Sequence, residues 1–168
     1  NQIQPLFKIA SSDNNFYPLI KKIAGFGKPT IISTGLADLN VLDQVSKDVE
    51  EIWSAKNINP GLAFLHCVSS YPTPPDQANL LAITSLKIRY PNLIIGYSDH
   101  TLGIQAATSS VALGARIVEK HFTLDKNYSD FHDHKLSANP SEFKQMVENI
   151  RSISLMLGNG EIKPQKNE

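Results

Sequence analysis

Polar side chains that could bind an anion or a metal ion recur after short apolar runs of this sequence. The clusters lie at residues 8–13, 33–35, 66–72, 98–101 and 119–123. If the apolar runs are parallel strands, these clusters meet, because the carboxyl ends of such strands share one edge of the sheet. Lysine, serine and threonine side chains gathered there could hold a phosphate or a carboxylate, and histidines could hold a metal ion.

His100 and His121 are the candidate metal ligands, one in each of the last two clusters. Neutral imidazole is the commonest side-chain metal ligand, and two imidazoles on neighbouring strands can converge on one ion. The sequence contains no HxxxH or CxxC motif, so two ordinary histidines hydrogen-bonded near loop ends remain the alternative. We expect His66, inside an apolar run, to be a hydrogen-bonded core or strand-end histidine. We expect His132 and His134 in an exposed loop.

Three charged residues could have functional roles, and Lys8 and Asp13 also have a structural interpretation. Lys8 could bind a phosphate oxygen, or it could lie along partly buried surface with its amine in water. Asp13 could act as a general acid or base, although its position favours the N-cap of a helix over residues 14–23. Glu119 lies two residues before His121 and therefore shares its face of a strand. A carboxylate at a barrel mouth is costly without partners, which favours a functional role.

Cys67 and Tyr71 belong to the third cluster. Cys67 ends an apolar run, which predicts a small, buried hydrophobic side chain. Tyr71 begins a proline-rich turn that could place its hydroxyl at a ligand or could simply be a packed loop. Because Cys67 is the single cysteine of the sequence, an intramolecular disulfide is excluded, and the sequence fits a reducing compartment.

Apolar runs and helical patterns alternate along the chain. The runs cover residues 6–10, 30–33, 62–67, 93–97 and 116–122. They are mostly continuous, which predicts parallel strands buried on both faces. Apolar residues at helical spacing predict helices over residues 16–23, 39–52, 79–88, 103–113 and 141–157. The last helix has a start signal at residues 139–142 and a stop signal at Gly158. Such alternation is typical of an α/β fold.

Periodicity alone leaves two architectures open. A complete (β/α)8 barrel takes about 250 residues, or about 31 for each unit. Five units therefore fit either an open doubly wound sheet or part of a barrel. No glycine-rich dinucleotide fingerprint follows the first apolar run, so the usual signal for a doubly wound nucleotide-binding sheet is missing.

Composition excludes several classes of protein. The chain has 168 residues, of which 41% are apolar, which suffices for a core and predicts one domain. Sixteen basic and sixteen acidic side chains give no net charge, so we expect neither nucleic acid nor a membrane surface as a partner. Without a membrane-spanning run or an export signal, we expect a cytoplasmic protein. Because the sequence begins with Asn1, we expect a processed product or a fragment.

Five stretches of the sequence resemble one known family. They read FKIASSDNNFYPLI, GKPTIISTGLA, LHCVSSYPTPPDQANL, GYSDHTLGIQAATSSVALGARIVEKHFTLDKN and HDHKLSANPSEFKQMVENIR. Over about residues 7–151 the chain resembles the N-acetylneuraminate (sialic acid) synthases and the related legionaminic and pseudaminic acid synthases. The resemblance implies the later part of a (β/α)8 TIM barrel. Five βα units would occupy residues 1–158, and residues 159–168 would be a polar tail or linker.

The resemblance implies condensation of phosphoenolpyruvate with an N-acetylated amino sugar, either N-acetylmannosamine or a related 2,4-diacetamido sugar. The products would be a sialic-acid-like nonulosonic acid and phosphate. Manganese or magnesium, held by His100 and His121, would act as a Lewis acid. Family enzymes have three βα units before this region, and many have a C-terminal domain that delivers an arginine to the neighbouring subunit. We therefore expect a fragment of a homodimeric synthase, with little activity on its own.

The resemblance also implies roles for individual residues. The expected phosphoenolpyruvate contacts are Lys8, Ser11, Ser33, Tyr71 and Ser98. The expected sugar contacts are Glu119 and Asp133, and Ser69 is expected to bind substrate. Asp13 lies where some members have a glutamate that acts as a catalytic acid or base, and Ser69 lies where some have asparagine. His100 and His121 are expected to contribute to catalysis through the metal.

Three alternatives remain at this stage. One is another metal-dependent phosphoenolpyruvate-condensing synthase, of the deoxyheptulosonate type. A second is a Schiff-base aldolase with Lys8 as the nucleophile, which borohydride would trap as an adduct with the substrate. A third is an inactive binding or scaffold segment, against which the presence of both His100 and His121 argues.

Overall fold

The computed structural model describes residues 5–168 and contains one five-stranded parallel sheet. The strands are β1 (Phe7–Ile9), β2 (Thr30–Ser33), β3 (Leu62–Cys67), β4 (Ile94–Asp99) and β5 (Val118–Lys120). Each strand pairs with its neighbour in the chain, in the order β1-β2-β3-β4-β5. A doubly wound sheet reverses its strand order partway, whereas a barrel adds its strands in sequence order. The observed order therefore favours part of a barrel.

The sheet is strongly curved, because its first and last strands contact each other through side chains. Lys8 Nζ of β1 lies 3.4 Å from Glu119 Oε2 of β5. In a flat sheet, four interstrand spacings would separate these strands by about 19 Å, which is too far for the two side chains to bridge. The predicted partial barrel of five βα units is confirmed.

Six α-helices accompany the strands in the described residues. They are α1 (Tyr17–Gly25), α2 (Leu39–Ala55), α3 (Leu81–Arg89), α4 (Gln105–Ala112), α5 (His132–Leu136) and α6 (Pro140–Met156). All except α5 lie at predicted positions, and α5 is too short for periodicity to reveal it. Within residues 5–168, no helix combines the length and the apolar character that crossing a bilayer requires.

The start of α1 differs from the prediction. The helix begins at Tyr17, with Phe16 as its N-cap and Pro18 in its first turn, where proline is well tolerated. The preceding residues instead form a single 3-10 turn, Ser11–Asp13. Asp13 lies inside that turn, so its predicted role as the N-cap of α1 is wrong.

The start of α6 matches the prediction in detail. Asn139 Oδ1 accepts a hydrogen bond from Glu142 N at 2.9 Å, and Glu142 Oε2 accepts one from Asn139 N at 3.0 Å. This reciprocal arrangement is a capping box. The helix ends at Met156, two residues before the predicted stop at Gly158.

The two faces of the sheet differ in character. One face packs against the helices and carries the buried apolar residues Ile9, Ile32, Phe64, Ile95 and Tyr97. Side chains alternate between faces along a strand, so the opposite face, here called the inner face, carries Lys8, Ser33, Cys67, Ser98 and Glu119 beside apolar residues such as Ile31 and Leu65. The apolar core thus holds the strands in place while polar side chains point toward the barrel interior.

His66 and Cys67 at the end of β3 are buried, as predicted. His66 Nε2 lies 2.9 Å from the carbonyl oxygen of Ala78. Because a carbonyl can only accept, Nε2 carries the proton and donates it. Burial disfavours the charged imidazolium, and it lowers the pKa of His66 below its ordinary value.

Mild acid is expected to destabilise the fold through His66. The unfolded chain binds this proton near pH 6.5, and the folded chain binds it only at lower pH, so stability is lost as pH falls below about 6.5. Urea unfolding should show the free energy of unfolding declining more steeply below this pH in the wild type than in His66→Gln. The other histidines are present in both proteins, so the difference isolates His66. Parallel pH profiles would contradict the expectation.

Candidate active site

An ammonium, a carboxylate and two hydroxyls contact one another on the inner face. Lys8 Nζ donates to Ser33 Oγ at 2.8 Å and lies 3.4 Å from Glu119 Oε2. Ser98 Oγ donates to the other carboxylate oxygen, Glu119 Oε1, at 2.6 Å. Each oxygen of Glu119 therefore has a partner, which offsets the cost of placing a carboxylate there. The Lys8 and Glu119 side chains are 30% and 43% exposed, so a ligand can reach both.

The turns after β1, β2 and β3 bring two further hydroxyls toward Gly35. Ser11 Oγ accepts a hydrogen bond from Gly35 N at 3.1 Å. A Cβ atom on Gly35 would lie 2.7 Å from Ser11 Oγ and 2.4 Å from Ser69 Oγ, so a larger residue would displace both hydroxyls. Buried Asn14 supports this turn by donating to the carbonyls of Ser33 and Gly35.

The importance of Gly35 and Asn14 did not emerge from the sequence. Gly35 lies two residues after the end of β2, which is a weak signal for a close approach of backbone and side chains. Asn14 carries no comparable signal, because its role depends on the 3-10 turn that precedes α1.

The imidazoles of His100 and His121 converge just beyond β4 and β5. Their ring centroids are 5.3 Å apart. His100 Nδ1 lies 2.8 Å from the carbonyl oxygen of Val68, so Nδ1 carries the proton and Nε2 presents a lone pair. A backbone carbonyl on the distal nitrogen is the usual way in which a metal-binding histidine is oriented.

These two imidazoles would form an incomplete ligand set for a metal ion. Among residues 5–168, the structure brings together no group of three or more histidine, cysteine, aspartate or glutamate side chains that could hold a metal ion. An ion held by His100 and His121 alone would therefore keep open coordination positions. Open coordination positions are typical of catalytic rather than structural metal sites.

Asp133 lies beside His121 at the start of α5. Its Oδ2 atom is 3.5 Å from His121 Nδ1, and its Oδ1 atom is 3.1 Å from His132 Nε2. Burial lowers the pKa of His121, although Asp133 opposes this shift. The imidazole of His121 is therefore neutral at neutral pH, and this is the form that binds metals.

The expected loop around Asp133 is a short helix. His132 and His134 both lie in α5 rather than in an irregular segment. The His132 side chain is about half exposed, whereas His134 Nδ1 is partly buried, 2.9 Å from Thr123 Oγ1. The predicted exposed loop is therefore wrong in its backbone and, for His134, in its exposure.

Tyr71 covers the two imidazoles. Its ring centroid lies 4.1 Å from that of His100 and 6.0 Å from that of His121. Burial raises the pKa of the Tyr71 phenol, so the hydroxyl stays protonated at neutral pH and can donate a hydrogen bond. Tyr71 is 40% exposed and therefore lies at the boundary between the imidazoles and solvent.

Residues 2–162 match the model that describes the NeuB family. The chain belongs to the NeuB family. This NeuB-family chain is 53% identical to an uncharacterized protein of Methanocaldococcus jannaschii, over 98% of the chain and 47% of that protein. It is 43% identical to N,N'-diacetyllegionaminic acid synthase of Campylobacter jejuni, over 97% of the chain and 47% of the synthase.

A solved structure supports both the family and the fold. The N-acetylneuraminic acid synthetase of Leptospira borgpetersenii superposes with a TM-score of 0.89 at 37% sequence identity. The match covers 98% of this chain and 55% of the synthetase. The NeuB-family chain thus spans about half the length of the relatives that it matches.

Most of the predicted site residues of this NeuB-family chain take part in the contacts described above. Asp13 is the exception, because its carboxylate accepts from the neighbouring Ser12 hydroxyl at 3.2 Å. Its position in the turn after β1 places it near Ser11, but its role in acid–base chemistry stays a prediction.

Proposed function

We propose that the protein containing this chain condenses phosphoenolpyruvate with an N-acetylated amino sugar to give a nonulosonic acid and phosphate. The observation that carries the proposal is the order of side chains on the inner face, read along β4 and β5 toward their carboxyl ends. Ser98 and Glu119 pair across β4 and β5, and His100 and His121 follow each of them by two residues. Two residues of strand rise about 6.6 Å. We infer that the candidate anion-binding side chains and the candidate metal ligands follow one another along the same opening.

The side chains around Lys8 suit phosphoenolpyruvate. The Lys8 ammonium, with Ser33 beside it, offers a cation and hydroxyl donors to a phosphate or carboxylate. We assign Ser11, Ser98 and Tyr71 to the same substrate. The partners of Lys8 suit an ammonium that binds an anion rather than an amine that attacks a carbonyl, so we favour condensation over Schiff-base chemistry.

The side chains around His100 and His121 suit the amino sugar. A bound Mn²⁺ or Mg²⁺ would polarise the aldehyde oxygen of the open-chain sugar as a Lewis acid. We assign Glu119, Asp133 and Ser69 to the sugar hydroxyls and Asp13 to proton transfer. Carbon 3 of phosphoenolpyruvate would form the bond to the aldehyde carbon, water would add to carbon 2, and phosphate would leave.

We propose that residues 1–158 form five units of an eight-unit barrel and that residues 159–168 are a tail or linker. The coverage of about half of each relative supports this division. In that case further substrate contacts come from other parts of the protein, which we infer to be a cytoplasmic homodimer without a nucleic-acid partner.

Titration of Mn²⁺ into the purified protein with phosphoenolpyruvate present tests the proposal. We expect saturable binding that weakens at least about 100-fold in the His100→Ala, His121→Ala double variant, because the double variant loses both protein ligands. His132→Gln also removes an imidazole from this end of the sheet and should keep its Mn²⁺ affinity within about threefold. Equal binding by the wild type and the double variant would refute the metal site.

A further inference from the structure

A wholly buried ion pair lies directly behind the two candidate metal ligands. Lys120 Nζ is 2.9 Å from Asp99 Oδ2, and neither side chain has any solvent exposure. Asp99 and Lys120 alternate with Ser98 and Glu119 along β4 and β5, so they project from the opposite face of the sheet, among the helices.

The pair belongs to a network that also holds the segment after β4. Asp99 Oδ1 accepts from Thr101 N at 2.8 Å and from the Tyr97 hydroxyl at 3.2 Å. Lys120 Nζ donates to the carbonyl oxygen of Thr101 at 2.6 Å. Lys120 therefore binds the residue before His100 and the residue after it.

Stability alone does not account for this arrangement. Burying two charges costs hydration free energy that their attraction repays only in part, and well-packed apolar side chains of similar volume are often as stabilising or more so. The position of the pair is more informative. Asp99 and Lys120 are partners in the last register position of β4 and β5, and the next residue on each strand is His100 or His121.

We propose that Asp99 and Lys120 are positioning residues that fix the ends of β4 and β5, so that the imidazoles of His100 and His121 converge on one metal ion. The inference rests on the metal site in the proposed function. Within the described part of the chain, this ion pair is the one charged contact that joins the two strand ends behind the imidazoles. Without it, the ring centroids of His100 and His121 would no longer be held 5.3 Å apart.

The test compares two variants of similar stability. The Asp99→Asn, Lys120→Met double variant removes both charges together, because either change alone would leave a single buried charge unpaired. The control replaces Ile83, a fully buried core residue of α3, with Val or Ala. The residue chosen is the one that lowers the thermal midpoint as much as the double variant does. Mn²⁺ affinity is measured by electron paramagnetic resonance, and the His100 and His121 ring nitrogens are observed by NMR without metal.

We expect the pair variant to lose about 10- to 100-fold in Mn²⁺ affinity, as is usual when the support of a metal ligand is removed. Its imidazole signals should broaden or multiply, and the Ile83 variant should keep both the wild-type affinity and the wild-type signals. Identical behaviour of the two variants would reduce the pair to a structural role and overturn the proposal. If the wild type binds no Mn²⁺, the proposed metal site fails, and the metal-free imidazole signals still decide whether the pair positions the rings.

Discussion

Replacing Gly96 with alanine is expected to lower the free energy of unfolding by about 3 kcal/mol, at the upper end of the usual cost of overpacking. A Cβ atom at this position in β4 would lie 2.4 Å from the carbonyl oxygen of Ile117 and 2.4 Å from Leu65 Cδ2. The end of the Leu65 side chain can move aside. The carbonyl oxygen cannot, because it already accepts a hydrogen bond from Tyr97 N at 2.9 Å.

Urea unfolding of Gly96→Ala against the wild type measures this effect. Gly25→Ala is the matched control, because a Cβ at Gly25, the last residue of α1, would meet no atom within 4 Å. Alanine is a better helix former than glycine, so the control should be neutral or stabilising by up to about 1 kcal/mol. A Gly96→Ala protein as stable as the control would mean that β4 and β5 can separate without cost.

The fold was largely predictable because its signals are local. Continuous apolar runs such as residues 62–67 predict buried parallel strands, and all five predicted strands are present. Local sequence signals could not decide between a doubly wound sheet and a barrel, since both folds alternate strands and helices. It depends on strand order and on curvature, which the contact between Lys8 and Glu119 reveals.

The site was predictable as a set of residue types but not as a set of contacts. Parallel strands bring their carboxyl ends to one edge, so His100 and His121 could be expected to be neighbours. The partners of Asp133 could not be expected, because they depend on the five-residue helix α5, which is too short to leave a periodic pattern. The buried pair of Asp99 and Lys120 was equally hidden, since charged residues are almost never fully buried unless paired.

Replacing Lys8 with methionine is expected to weaken phosphoenolpyruvate binding about 10- to 100-fold. The ammonium is the cation that contacts both Ser33 and Glu119 on the inner face. A hydrogen bond to a charged group contributes about 1.5–3 kcal/mol, and each 1.4 kcal/mol corresponds to a factor of ten in affinity. Methionine has a similar length and no charge, so it also leaves the Glu119 carboxylate to repel the bound anion.

The Glu119 carboxylate makes the prediction for Lys8→Met more specific. In Glu119→Gln the repulsion is absent while Lys8 keeps its hydrogen bond to Ser33, so phosphoenolpyruvate should bind as tightly as in the wild type or more tightly. The Lys8→Met, Glu119→Gln double variant should recover part of the loss, and the four proteins together form a double-mutant cycle. Lys47→Met serves as the control, because Lys47 is an exposed lysine of α2 whose ion-pair partner is Glu51.

Isothermal titration of phosphoenolpyruvate into these proteins, at one ionic strength, gives the affinities. We expect Lys47→Met to match the wild type, since an exposed charge far from the inner face is largely screened by salt. If Lys8→Met binds phosphoenolpyruvate like Lys47→Met, the anion site does not lie at Lys8. A loss in Lys8→Met that Glu119→Gln leaves wholly unrelieved would instead mean that the carboxylate does not face the bound anion.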